Sequence, residues 1–263
     1  GLGEGPHSFT VTATDAFGNV SAGSLAYELT VVTTTPLAPA ISGVADDVGT
    51  IRGPLVSDGS TDDPQPTLSG TAGANLTITL YDGADVIGST TSDPAGAWSI
   101  TAPALGQGTH VLTVTASNAA GTEGPASAPF TVDVDLTSPA LPLVTAVTDD
   151  IGAVQGGLAA NAQTDDTRPT LTGTADPGTT ISIFDNGNLI GTASADGAGA
   201  WSFTPTTPLT PGLHALTVTA TDAVGNQSAA TAPFNLTVDT APPAAPVITG
   251  ATDDVGVGSA IAN

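Results

Sequence analysis

Residues 214–222 read HALTVTATD. Leu216, Val218 and Ala220 alternate with Thr217, Thr219 and Thr221, so an extended chain sets the apolar residues on one face and the hydroxyls on the other. FNLTVD (234–239) repeats the pattern with Phe234, Leu236 and Val238, and TLTGTA (170–175) and TISIFD (180–185) behave likewise. DNGN (185–188) supplies the Asn-Gly of a tight hairpin. Threonine-rich strands with one apolar face, separated by Gly, Pro and Asp turns, predict antiparallel sheets packed as a sandwich. No helical periodicity of useful length is present.

The same phrases recur along the chain. TDAFGN (14–19), SNAAGT (117–122) and TDAVGN (221–226) are separated by 103 and then 104 residues. ADDVG (45–49), TDDIG (148–152) and TDDVG (252–256) keep those spacings, as do His7, His110 and His214. One module of about 103 residues is therefore written in tandem. Residues 1–35 end one copy, 36–138 and 139–242 are whole copies, and 243–263 begin another. Strands are expected at 39–45, 66–72, 75–82, 85–91, 97–102, 109–116 and 128–135, with the later copy offset by 103 or 104. Seven strands in about 100 residues is the size of an immunoglobulin-like sandwich, so the expected fold is all-β, a linear rod of such domains. Between copies, TPLAP (35–39), SPALP (138–142) and PPAAP (242–246) each carry prolines three apart, the turn of a stiff polyproline II linker.

Composition narrows function. Twenty-five Asp plus Glu face only Arg52 and Arg168, a formal net charge of −23. Salt bridges cannot be the common role of these carboxylates. Such a surface repels nucleic acid and anionic membranes. Hydrophobic residues make up 40% and charged residues 10%, which favours packed cores over disorder. The lack of Cys removes disulfides, catalytic thiols and thiolate metal sites. The lack of Met, with Gly1 at the start, leads us to expect a piece of a longer chain. No apolar run reaches the ~18 residues of a membrane span, so no membrane insertion is expected.

The three His each open the same strand, and their expected role is to tie the preceding loop to it, as a tyrosine corner does. Trp98 and Trp201 read as core plugs rather than carbohydrate platforms. No nucleophile constellation or phosphate loop is present, and the chain is read as non-enzymatic. The aspartates differ because topology gathers them. With strand 39–45 running to the far end of the sandwich, that pole of the first whole copy carries Asp46, Asp47, Asp62, Asp63, Asp133 and Asp135. Asp222, in the loop after strand 213–220, is expected to face them across the linker, and Asp15 is its counterpart in TDAFGN. Crowded carboxylates repel, and a hard divalent cation taking six to eight oxygens reverses that, so Ca2+ is the expected cofactor.

The combined pattern TDD…PTLTGTA…G.W.F…G.H.LTVTATD..GN…LTVD..AP..P, drawn from residues 164–246, resembles the bacterial immunoglobulin-like repeats of giant secreted adhesins of the RTX and biofilm-associated type. The resemblance implies calcium at domain junctions, type I export, and a tether that projects a distal adhesive module from the bacterial cell surface. It implies as ligands Asp46, Asp47, Asp62, Asp63, Asp135 and Asp222, then Asp149, Asp150, Asp165, Asp166 and Asp239. Val32 stands where the strand-end Asp is expected, and Asn118 where the loop Asp is expected. Calcium is accordingly expected with Asp135 and Asp222, and weakly or not at all with Val32 and Asn118. The expected partners are neighbouring repeats of the same chain, and a host or abiotic surface reached through a module outside this sequence, the rod itself being a monomer. The alternatives are a module that binds a glycan or protein directly, or an accessory domain of an exported hydrolase.

Overall fold

Alternation of buried and exposed residues becomes strand throughout the computed structural model, which describes residues 1–250. The final TDDVG motif, and with it most of the expected fourth copy, lies outside the described residues. Two compact units emerge: Gly1–Pro139 together with Thr221–Ser228, and Ala140–Ala220 together with the chain from Ala229 onward.

In the first unit, β1 (Gly5–Phe9) and β2 (Tyr27–Val31) form an antiparallel pair. The first whole copy then builds β3 (Ala40–Asp46), β4 (Gly53–Leu55), β5 (Gly59–Thr61), β6 (Thr67–Thr71), β7 (Thr77–Asp82), β8 (Asp85–Thr91), β9 (Ala97–Thr101), β10 (Gly108–Ser117) and β11 (Phe130–Val134). One sheet has the order β4-β3-β6-β9 and the other β5-β11-β10-β7-β8. Leu68 from the first sheet meets Ile78, Leu80, Leu112, Val114 and Val132 from the second, each fully buried, with Trp98 at one end of the core.

The second unit repeats this with β12 (Leu143–Asp149), β13 (Gly156–Gly157), β14 (Ala162–Thr164), β15 (Thr170–Thr174), β16 (Thr180–Asp185), β17 (Asn188–Ser194), β18 (Ala200–Phe203), β19 (Gly212–Thr221) and β20 (Phe234–Val238). Its sheets are β13-β12-β15-β18 and β14-β20-β19-β16-β17. Leu216, Val218 and Ala220, the apolar face of β19, are buried with Leu236, Val238, Ile181 and Ile183. Asn186 (φ 49°) and Gly187 (φ 82°) make the expected hairpin between β16 and β17, both in the left-handed region that this turn requires.

The expectation of purely antiparallel sheets is corrected at one place in each copy. The stretch between the first two expected strands is not bare loop. Residues 53–55 pair with β3, and 59–61 cross over to run parallel to β11. In the second copy β14 runs parallel to β20 in the same way. This crossing brings Thr61 and Thr164 to the end of the last strand, where the aspartates gather.

Candidate functional site

Thr61 is the hub of the acidic end of the first unit. Its Oγ1 donates to Asp46 Oδ2 at 2.6 Å and accepts from the Asp63 amide at 3.1 Å, while its carbonyl accepts from the Asp135 amide at 2.9 Å. Asp46 is 7% exposed and also takes the Val48 amide; Asp63 is 1% exposed and takes the Gln65 amide. Burying two carboxylates is tolerable only because each accepts hydrogen bonds. The second unit repeats the arrangement. Thr164 Oγ1 donates to Asp149 Oδ2 at 2.5 Å, and its carbonyl takes the Asp239 amide at 2.8 Å. Asp166 is fully buried, and its Oδ2 has no hydrogen-bond partner.

Asp62 is held differently. A Cβ on Gly49 would lie 2.0 Å from its Oδ2, and one on Gly225 would lie 2.9 Å away, so two glycines at positive φ leave the room this side chain fills. Its Oδ1 is buried without a partner. Burial first, then the charge of Asp46, and further the charges of Asp222 and Asp63 push its carboxyl above the usual value, against a lowering by its own backbone amide. Four of the expected residues, Asp46, Asp62, Asp63 and Asp222, therefore share one electrostatic neighbourhood within the first unit. Beside it opens a cavity of about 160 Å3 lined by Asp46, Arg52, Ser60, Ala223 and Val224, among others. In the second unit Asp149, Asp165 and Asp239 line a cavity of about 260 Å3 with Gln155 and Thr164.

Local hydrogen bonds hold Asp222 and several of the remaining expected residues. Asp222 Oδ1 accepts three amides, from Val224, Gly225 and Asn226, and its Oδ2 accepts from Asn226 Nδ2. Asp15 caps its own turn in the same manner through Phe17 and Asn19. The Asn19 side chain contributes most to holding the Asp15 carboxyl below its ordinary value. Asp135 Oδ1 accepts from Gln107 Nε2 and the Thr137 amide, in that order the causes of its lowered pKa. Asp133 is separate from this group, because its Oδ1 accepts from Thr109 across the β10–β11 pair. Asp47, Asp150, Asp165 and Asp239 are exposed.

Calcium, which the resemblance implies, asks for six to eight oxygens. Among the described residues, no three His, Cys, Asp or Glu side chains are arranged to hold a metal ion. The donor chemistry nevertheless fits a hard cation. Asp62 Oδ1 is a buried oxygen without a partner, its neighbours are carboxylates, and hydrogen-bonded carboxylate oxygens keep further lone pairs.

The His rings do tie loop to strand. Nε2 of His7, His110 and His214 meets the carbonyl of Gly3, Gly106 and Thr210, each four residues earlier. Sequence reasoning missed the second half of this tie, in which Nδ1 meets Asp82 Oδ2 at 2.6 Å and Asp185 Oδ2 at 2.7 Å. It missed Thr61 and Thr164 too. Recurrence at the module spacing was the available signal, since Asp82 and Asp185, like Thr61 and Thr164, are 103 apart.

No curated protein matches the chain. Among solved structures, fibronectin(III)-like modules of Clostridium thermocellum CbhA are 19% identical over 73% of this chain and 94% of theirs, with a TM-score of 0.44. The BSP domain of a biofilm-associated protein is 23% identical over 72% of this chain and 30% of its own, TM-score 0.27. A tetra-tandem repeat from the extending region of a large adhesion protein is 18% identical over 91% of this chain and 58% of its own, TM-score 0.28. A family model described as a bacterial Ig-like domain matches residues 38–135 and again 143–240. These two tandem matches span most of the sequence, and the chain belongs to the bacterial Ig-like domain family.

Proposed function

We propose that this chain is a non-enzymatic extender segment of a bacterial surface adhesin, exported from the cell and stiffened by calcium. The observation that carries the reading is Asp62, wedged between Gly49 and Gly225 with a buried, unpartnered oxygen and the charges of Asp46, Asp63 and Asp222 around it. Bound calcium would supply two positive charges beside these carboxylates, where Arg52 is the cation that lines the adjoining cavity. Asp46, Asp62, Asp63 and Asp222 would draw together on binding to hold it, tying the 221–228 segment to the loops after β3 and β5. In the second unit Asp149, Asp165 and Asp166 are the counterparts of Asp46, Asp62 and Asp63, and Asp239, the counterpart of Asp135, lines the same cavity as Asp149 and Asp165. A structural role is supported by the His rings as well, because both nitrogens of His110 and His214 are engaged within the fold.

Calorimetric titration with calcium, paired with thermal melts in calcium and in chelator, tests this. Calcium at a hundredfold over its Kd should add about 2.7 kcal/mol to the stability of the folded form. Magnesium should replace it poorly, because its small octahedral shell suits such a cage badly. Asp62→Asn should abolish one binding event and leave the apoprotein no less stable. Absence of binding heat together with identical melts in calcium and chelator would overturn the reading.

A further inference from the structure

The loops Asn118–Thr122 and Asp222–Asn226 close with the same backbone hydrogen bond, from the first residue's amide to the last one's carbonyl, yet they divide the polar work differently. In the later loop the carboxylate of Asp222 caps the turn, and Asn226, four residues on, donates Nδ2 to the Asp135 carbonyl at 2.8 Å. In the earlier loop Asn118 performs both tasks. Its Oδ1 accepts from the amides of Ala120 and Thr122, each at 3.0 Å, and its Nδ2 donates to the Thr34 carbonyl at 3.0 Å. Thr122 occupies the position of Asn226. An aspartate at 118 could cap the turn, as Asp15 and Asp222 do, but it has no N–H to give. The same loop makes a second close approach, since a Cβ on Gly124 would lie 2.3 Å from the Pro36 carbonyl.

We propose that the loop Asn118–Gly124 is a cation-independent clamp on the segment Thr34–Pro36, formed by the Asn118 amide and by the Cβ-free approach of Gly124. The exchange of Asp for Asn at 118 then changes the kind of bond rather than losing one. A neutral amide–carbonyl bond needs neither an ionised carboxylate nor a metal, so this segment stays docked in the absence of calcium. The proposal goes beyond the calcium reading and does not depend on it.

Hydrogen exchange of the full chain, followed by mass spectrometry of peptides covering residues 31–38, tests it in calcium and in chelator. Wild-type exchange there should be the same in both. Asn118→Asp keeps the cap and removes only the donor, and should accelerate exchange about fivefold, the scale of one net hydrogen bond. Gly124→Ala should do the same through its clash with the Pro36 carbonyl, while peptides from β7 stay protected in both variants. Unchanged exchange in both variants, or wild-type exchange at 31–38 that quickens on chelation, overturns the clamp. Failure of the calcium reading shows elsewhere, as the absence of any calcium effect on melting.

Discussion

Replacing Gly70 by alanine should destabilise the first unit by about 3–5 kcal/mol, beyond what most single substitutions do. Gly70 occupies a core-facing position of β6, where alternation calls for an apolar side chain. A Cβ there would lie 1.9 Å from the Ala40 carbonyl and 2.4 Å from Trp98 Cζ2. The indole of Trp98, on the neighbouring strand in direct register with Gly70, lies over the position and replaces the missing side chain. A glycine inside a strand marks such a close approach. The carbonyl is the harder obstacle, because it belongs to β3 backbone that is bonded in register to β6. Gly173 repeats the situation, 2.0 Å from the Leu143 carbonyl and 2.4 Å from Trp201 Cζ2. Urea unfolding checks this: Gly70→Ala and Gly173→Ala should each lower the midpoint of a different unit. Trimming the ring as well, in Gly70→Ala with Trp98→Leu, should not restore stability, because the backbone contact remains. An unchanged midpoint for either glycine variant would show that the strands yield cheaply.

The same glycines show how far the sequence could be read. PTLSGTA and PTLTGTA were legible as strands from the alternation of Leu68 and Leu171 with threonines, but the glycine's reason lay in a tryptophan about 28 residues later in the chain. Alternation is a local signal and survives in one dimension. Pairing partners are not local, and so β4 and β5, three residues each and built of Gly, Pro, Ser, Thr and Leu, left no periodic trace. The acidic cluster was legible as a set because it recurs at the module spacing. Its hub was not, since Thr61 is one threonine among very many and only the crossing to β11 singles it out. The sequence grouped Asp133 with the acidic pole, but its register opposite Thr109 across the β10–β11 pair gives its carboxylate to that hydroxyl instead.

Stability of the first unit should fall as pH rises above about 6.5, and the cause should be His110. Its Nε2 faces the Gly106 carbonyl at 2.9 Å, and its Nδ1 faces Asp82 Oδ2 at 2.6 Å. Carbonyl and carboxylate oxygens only accept, so both ring nitrogens must donate and the ring must carry two protons. Burial of the ring works against that charge. The Asp82 hydrogen bond, the Gly106 carbonyl and the charges of Asp82 and Asp133 together outweigh it, and the pKa stands above the ordinary 6.5. A raised folded-state pKa gives stability that is complete below the unfolded value and is lost as pH rises through the folded one. With His side chain 15% and Asp side chain 27% exposed, the pair is shielded enough for its loss to matter. His110→Ala removes both bonds and strands Asp82, whose other oxygen holds only the Val111 amide, and should cost about 3 kcal/mol near pH 6. His110→Gln keeps an amide donor without the charge and should cost less. Its stability should also show a flatter dependence on pH between 6 and 9. Denaturant midpoints across that range, wild type against His110→Gln, decide the matter. Parallel curves for the two proteins would mean that the ring does not carry the second proton and that the tie to Asp82 is a neutral one.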